Sequence, residues 1–398
     1  MKLIEDFNTM PSLSFLTISW VVTTVWNRDD VTRAISRCLN NFNRDEVERQ
    51  WDEIKLQVTY IIQSIDVIPD NCIDDMEAMI APIGLHIFDM LSFIHFSPSF
   101  ENFGLRFPVK YWTSYGTVDV KRQEKLLVQD NEIDIAFRYN LACNDCFEES
   151  LQDLFPLLTH AQRNNFQTVG VNRELVSYWT HRLSGNLHIF VSVTGQYNTC
   201  MEDHDYSAHQ FAFLYTLLTG NISGIEYFMN FLTRKEYELV VENHISLVAV
   251  QYGDKVIRAH DLNPRPDVHY EDAMYFVMSR LNEDTRMQVL RSDSFCLLTF
   301  FRKYPFLGLF NKYVRLLINY LQWNHISWLL SEIIQTEKCR MPSFDLNLFD
   351  DLWCACSRSV RANIKNNSLN SRFYSEPDLL LLHERIKKTE KRLSLRVC

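Results

Sequence analysis

Apolar side chains recur at i, i+3, i+4 and i+7 in three eight-residue stretches: Leu151-Leu154-Phe155-Leu158, Ile225-Phe228-Met229-Leu232 and Met274-Val277-Met278-Leu281. That spacing paints one face of an α-helix. Each stretch is followed at once by a residue suited to capping a helix N-terminus: Thr159, Thr233 or Asn282. Thr159-x-x-Gln162 and Thr233-x-x-Glu236 fit the capping box, in which two side chains satisfy each other's free backbone donors. Asn282 is followed by Glu283 and Asp284, carboxylates placed where the helix dipole favours them. The pattern therefore predicts helix, sharp turn and helix three times, with successive helices folded back as antiparallel neighbours. Pro156 lies inside the first stretch and predicts a shortened or kinked helix there.

The same reading divides the chain into four segments. Residues 1–100 form an N-terminal helical region, with Asn43 predicted to cap a long helix through Val47, Trp51, Ile54, Val58 and Ile61. The apolar run from Leu13 to Trp26 reads as a buried helix, since acidic Glu5 and Asp6 stand where a leader peptide needs positive charge. It is also too short to span a bilayer. Residues 101–124, with Gly104, Pro108 and Gly116, read as an irregular connection with room for a short hairpin near 104–120. Residues 125–362 read as a helical repeat region. Residues 363–398 read as a polar loop and a last helix made basic by Arg385, Lys387, Lys388, Lys391, Arg392 and Arg396.

Composition narrows the fold. Only 10 of 398 residues are glycine, so tight β-turns and phosphate-cradling loops are poorly supplied. The expected class is all-α. Forty Lys and Arg against 50 Asp and Glu leave a formal charge of −10, which repels nucleic acid and anionic membranes. Ten scattered cysteines in a chain this long read as reduced thiols in a cytoplasmic setting.

Two phrases suggest repetition. The second and third apolar stretches are 49 residues apart, whereas Leu183-Ser184-Gly185-Asn186-Leu187 returns 35 residues later as Leu218-Thr219-Gly220-Asn221-Ile222. The two steps disagree, so any repeat is degenerate. The stretch Tyr215 to Asn221, followed by Gly224-Ile225-Glu226-Tyr227-Phe228, resembles one half of an ankyrin repeat. There a first helix ends in Gly-Asn or Gly-His and a second helix follows. Leu141-Ala142-Cys143-Asn144-Asp145 leading into Leu151–Leu158 resembles it more loosely, and Glu271 to Phe276 resembles the second helix alone. The likeness covers roughly 125–340 and extends to arthropod families with degenerate ankyrin-like helix pairs. It implies antiparallel helix pairs stacked as an irregular ankyrin-like solenoid, and a role in protein–protein interaction. The Thr-Pro-Leu-His signature, the 33-residue step and the Gly-rich β-turn of ankyrin arrays are missing, and with them the expectation of hairpin fingers.

Candidate chemistry is sparse. Cys143-x-x-Cys146 is the only CxxC, and Cys200-x-x-x-His204, with His209 beyond it, supplies the nearest further ligands for a zinc ion. A 53-residue gap separates the two halves, and buried or idle thiols are the simpler reading. No HExxH, GxGxxG or GxxxxGK[ST] phrase occurs, so no cofactor is expected. Tyr178, Tyr227 and Tyr275 share a phase beside the apolar stripe; they are the candidate anchors for a protein partner, with packing between repeats as the alternative. The expected function is a non-catalytic protein-binding module or scaffold. An all-α enzyme assisted by a metal at Cys143, Cys146, Cys200 and His204 is one alternative, and a structural or host-interaction protein is another.

Overall fold

The computed structural model describes residues 4, 6–7, 11–41, 43–66, 68–96, 111–113, 116–168, 173–197, 206–258, 270–338, 347–367 and 376–396. These residues are helical almost throughout. In chain order the helices are α1 (Leu13–Trp26), α2 (Asp29–Leu39), α3 (Arg44–Gln63), α4 (Asp70–Phe96), α5 (Val120–Gln129), α6 (Ile135–Asn144) and α7 (Glu148–Leu154). Then come α8 (His160–Gln167), α9 (Glu174–Leu183), α10 (Leu187–Tyr197), α11 (Ala208–Thr219), α12 (Ile222–Phe231), α13 (Arg234–Arg258) and α14 (Tyr270–Arg280). The last seven are α15 (Glu283–Ser292), α16 (Ser294–Phe301), α17 (Leu307–Leu317), α18 (Trp323–Lys338), α19 (Leu348–Ala355), α20 (Arg358–Asn367) and α21 (Glu376–Arg396). Among the described residues the only β pairing is an isolated antiparallel bridge between Trp112 and Val118. It marks the place of the expected hairpin, of which residues 104–110 lie outside the described residues.

The chain forms two compact units. One comprises Met1–His86, Ser114–Gly116 and Leu281–Cys398; the other comprises Ile87–Thr113 and Thr117–Arg280. In the first, α1 packs on α2 and α3, α16 on α17, and α18 on α19, α20 and α21. The N-terminal segment joins the two pieces of this unit. Phe7 lies edge-on to Phe301 at 5.8 Å, with the Arg286 guanidinium 5.0 Å from its own ring centre, and Asp6 pairs with Lys312 at 3.1 Å. In α1 the residues Phe15, Ile18, Val22, Val25 and Trp26 are buried, while Leu13 and Trp20 face solvent.

The second unit carries the predicted helix–turn–helix steps. The first, fourth and eighth positions of each eight-residue stretch are buried: Leu151, Leu154 and Leu158; Ile225, Phe228 and Leu232; Met274, Val277 and Leu281, the last falling in the first unit. Thr159 makes its capping box with Gln162, and Thr233 exchanges the same pair of hydrogen bonds with Glu236. The Asn282 side chain accepts from the Thr285 N–H. Pro156 acts as expected, since α7 stops at Leu154 and a 3-10 turn over Phe155–Leu157 carries the proline at its start.

A shared turn explains the Gly-Asn phrases. After α6, α9 and α11 the chain passes through a left-handed residue, Cys146 (φ 54°), Gly185 (φ 72°) and Gly220 (φ 73°) respectively. In each, the following N–H reaches back to a carbonyl in the last helical turn: Phe147 to Ala142, Asn186 to His181 and Asn221 to Thr216, all at 3.0 Å. This is the Schellman closure, which satisfies carbonyls that the helix end leaves free. In the third case Asn221 then caps α12 by accepting from the Gly224 N–H. α6 packs on α9, α9 on α11 and α11 on α13, while α7, α10 and α12 pack on the helix that precedes each of them.

Gly185 isolates the cost of this turn. A β-carbon there would meet nothing within 4 Å, so Gly185→Ala changes only backbone strain at positive φ. The expected loss is about 1 kcal/mol in the urea-dependent hydrogen exchange of α9. Unchanged exchange would show that the turn relaxes out of the left-handed region.

Candidate functional site

The richest polar constellation in the second unit gathers where α7 begins, α9 ends, α11 begins and α12 runs past. Arg182, in the last turn of α9, is its centre. Its guanidinium reaches Glu148 Oε1 at 2.8 Å and the Tyr227 hydroxyl at 2.7 Å, and the Tyr227 hydroxyl donates to Glu148 Oε2 at 2.7 Å. The guanidinium also lies 4.8 Å from the Trp179 ring centre and 5.0 Å from that of Phe231. Tyr227 and Phe231, four residues apart on α12, stack with ring planes 17° apart. Two aromatic faces and a carboxylate thus hold one cation in a planar geometry that suits arginine.

A second link extends inward. The Tyr178 hydroxyl lies 2.7 Å from His209 Nδ1, while Arg182 approaches the same hydroxyl at 3.4 Å. Arg182 can only donate, so the Tyr178 proton points to His209, whose Nδ1 accepts. Burial, then the nearby Arg182 charge, lowers the His209 pKa below its ordinary 6.5. Burial pushes the Tyr178 hydroxyl well above its usual range, and Tyr227 is held at about 12.

His209 sets a pH dependence. Its folded pKa lies below the unfolded one, so the unfolded chain binds more protons in the interval between them. Stability is complete above pH 6.5 and falls as the pH drops from there through the lowered folded value. Hydrogen exchange of α9 and α11 between pH 7.5 and 5, corrected for the intrinsic pH dependence of exchange, is expected to show this decline, with a shallower one in His209→Gln. Equal slopes in the two proteins would remove His209 from the account.

The residues singled out by sequence meet different fates. Tyr178 is fully buried, so it packs between helices and does not line a surface. Tyr227 is half-buried at the Arg182 cluster, and Tyr275 is half-buried on α14. Cys143 and Cys146 are both buried. Burial drives both thiols up, Cys146 to about 12. Cys200 and His204 lie outside the described residues. Among the described residues no three His, Cys, Asp or Glu side chains gather as a cation site. Glu148, Arg182 and Phe231 carry no sequence signal of their own, because Glu148 and Arg182 are 34 residues apart and meet only through the packing of α6, α7 and α9.

No known protein family, curated protein or solved structure matches this chain. No helix among the described residues is long and apolar enough to cross a membrane.

Proposed function

We propose that this protein is a non-catalytic protein-binding scaffold whose second unit stacks helix pairs in the irregular manner of a degenerate ankyrin-like solenoid. The row of first helices α6, α9, α11 and α13, three of them ending in the same left-handed turn, supports that architecture. Each pair in such an array buries its face on its neighbours and leaves a long side surface for a partner. The observation that carries the function is the half-exposed patch of Tyr227, Phe231 and Arg182. Phe231 is 45% exposed although it is a large aromatic ring. Its ring is held by Tyr227 and Arg182, so a partner docking there immobilises little that is not already fixed. Aromatic and arginine side chains fixed in this way are the types that carry binding energy at protein interfaces. The free thiols among the described cysteines fit a reducing, cytoplasmic setting.

The test compares three proteins as bait in extract of the cells that make it: wild type, Phe231→Asp, and Leu13→Asp, which alters an 80% exposed apolar residue of the other unit. A partner retained by wild type and Leu13→Asp but lost by Phe231→Asp supports the reading. Equal capture by all three would overturn it.

A further inference from the structure

Ile4 and Phe7 are buried although neither lies in a helix or strand. Their contacts are with residues some three hundred positions further along the chain. The Ile4 N–H donates to the Pro305 carbonyl at 3.4 Å. The Phe7 ring lies edge-on to Phe301 at 5.8 Å and 5.9 Å from Tyr313, with the Arg286 guanidinium 5.0 Å from its centre. Beside Phe7, the Asp6 carboxylate pairs with Lys312 at 3.1 Å, and both side chains are half-exposed. Buried apolar anchors, a charge pair at the rim and a main-chain hydrogen bond are the anatomy of a peptide held in a groove.

The walls of the groove are held without their occupant. Arg286 is fixed within its own surroundings on α15, by Glu283 at 3.0 Å and by the Leu281 carbonyl at 2.7 Å. Phe301 at the end of α16 and Tyr313 on α17 pack on each other at 6.1 Å, and Lys312 Nζ lies 5.3 Å from the Tyr313 ring centre. α15 packs on α16 and α16 on α17. Walls fixed in this way are preorganised for a ligand. The occupant fits less well. Its main-chain hydrogen bond to Pro305 is long for an N–H donor, and a half-exposed ion pair contributes little.

We propose that the groove of α15, α16 and α17 is a docking site for a separate protein, and that Ile4, Asp6 and Phe7 occupy it as a tethered stand-in. The partner supplies a short segment of the same chemistry: an apolar residue, an acidic residue two positions on, and an aromatic ring directly after it. Only four residues separate Phe7 from Ser12, the cap of α1. So short a tether holds the stand-in at a local concentration on the order of millimolar. A second copy of this chain brings identical contacts without the tether, so it cannot displace the stand-in. A different protein can, by improving on the two weak contacts.

The probe is a fluorescent peptide with the sequence of residues 2–9, titrated into the full-length protein and read by anisotropy. Phe7→Ala removes the aromatic anchor of the stand-in. That variant is expected to bind the peptide at least about tenfold more tightly than wild type, where the tether competes. Adding Lys312→Glu should weaken that binding by about fivefold, and the same peptide carrying Asp6→Lys should recover it. Equal binding to wild type and Phe7→Ala, or indifference to Lys312→Glu, would overturn the proposal. Should Phe7→Ala fail to fold, Asp6→Lys in the full-length chain alters only the half-exposed rim. It should likewise raise the affinity for the peptide above that of wild type, and no rise would count against the groove. A wild-type dimer that either variant converts to a monomer would seat a second copy there and refute the separate partner.

Discussion

Trp179→Ala is expected to destabilise the second unit by about 3–5 kcal/mol, the range found when a buried aromatic is truncated to alanine. Trp179 is fully buried in α9. Its ring meets Tyr178 edge-on at 5.5 Å and Tyr227 at 5.4 Å, and it forms one wall of the slot that holds Arg182. Truncation therefore opens a cavity and removes a face from a cation that is itself partly desolvated. The indole N–H contributes little, since it has no oxygen or nitrogen acceptor and faces the Cys146 sulfur. Trp179→Phe, which keeps a ring without the N–H, should then recover more than half of the loss. Because the chain has two compact units, a single global midpoint mixes two transitions. The measurement is urea-dependent hydrogen exchange of α9. A loss below about 1 kcal/mol would contradict the packing described.

Gly84→Val should cost the first unit about 2–3 kcal/mol. Gly84 lies in α4, where an added β-carbon would come within 2.4 Å of Trp26 Cζ2 and 2.8 Å of Cη2. Trp26 has no exposed surface and stacks on Trp51 with ring centres 5.5 Å apart, so its rigid ring has nowhere to move. Valine brings nearly no gain in helix propensity to offset the clash, whereas alanine would return up to about 1 kcal/mol. The pairing gives a sharper check than the size of the loss. Trp26→Phe shortens the ring at the contact, so combined with Gly84→Val it should be less destabilising than the two single losses added together. Strict additivity would mean that α4 and Trp26 do not touch in this way.

Local chemistry in this sequence was legible where it is self-contained. The boxes at Thr159 and Thr233, the Asn43 and Asn282 caps and the break at Pro156 each depend on residues within four positions, and each is present. The Gly-Asn phrases also had a physical basis, as left-handed turns closing a helix. Their third copy was harder to see because a cysteine, which ordinarily avoids positive φ, occupies the place of the glycine at Cys146. The Arg182 cluster was only half legible. The phase of Tyr178 and Tyr227 brought both to notice, yet whether a tyrosine beside an apolar stripe is covered depends on the neighbouring helix. Tyr178 is covered by Phe190 and Phe228, while Tyr227 stays at the rim.

The first unit is assembled from the two ends of the chain, with most of the second unit lying between them in sequence. On a ribosome this imposes an order. The helices before His86 emerge close to two hundred residues ahead of their partners beyond Leu281. At about 5–20 residues per second, that is a wait of roughly 10–40 seconds. During it Phe7 lacks Phe301, Tyr313 and the Arg286 guanidinium, which cover it in the folded unit. The second unit, whose residues are nearly contiguous, can complete its core during the same interval. Nascent chains stalled before residue 281 should therefore bind chaperones through the segment around Phe7, and that binding should end once residues 281–317 have emerged.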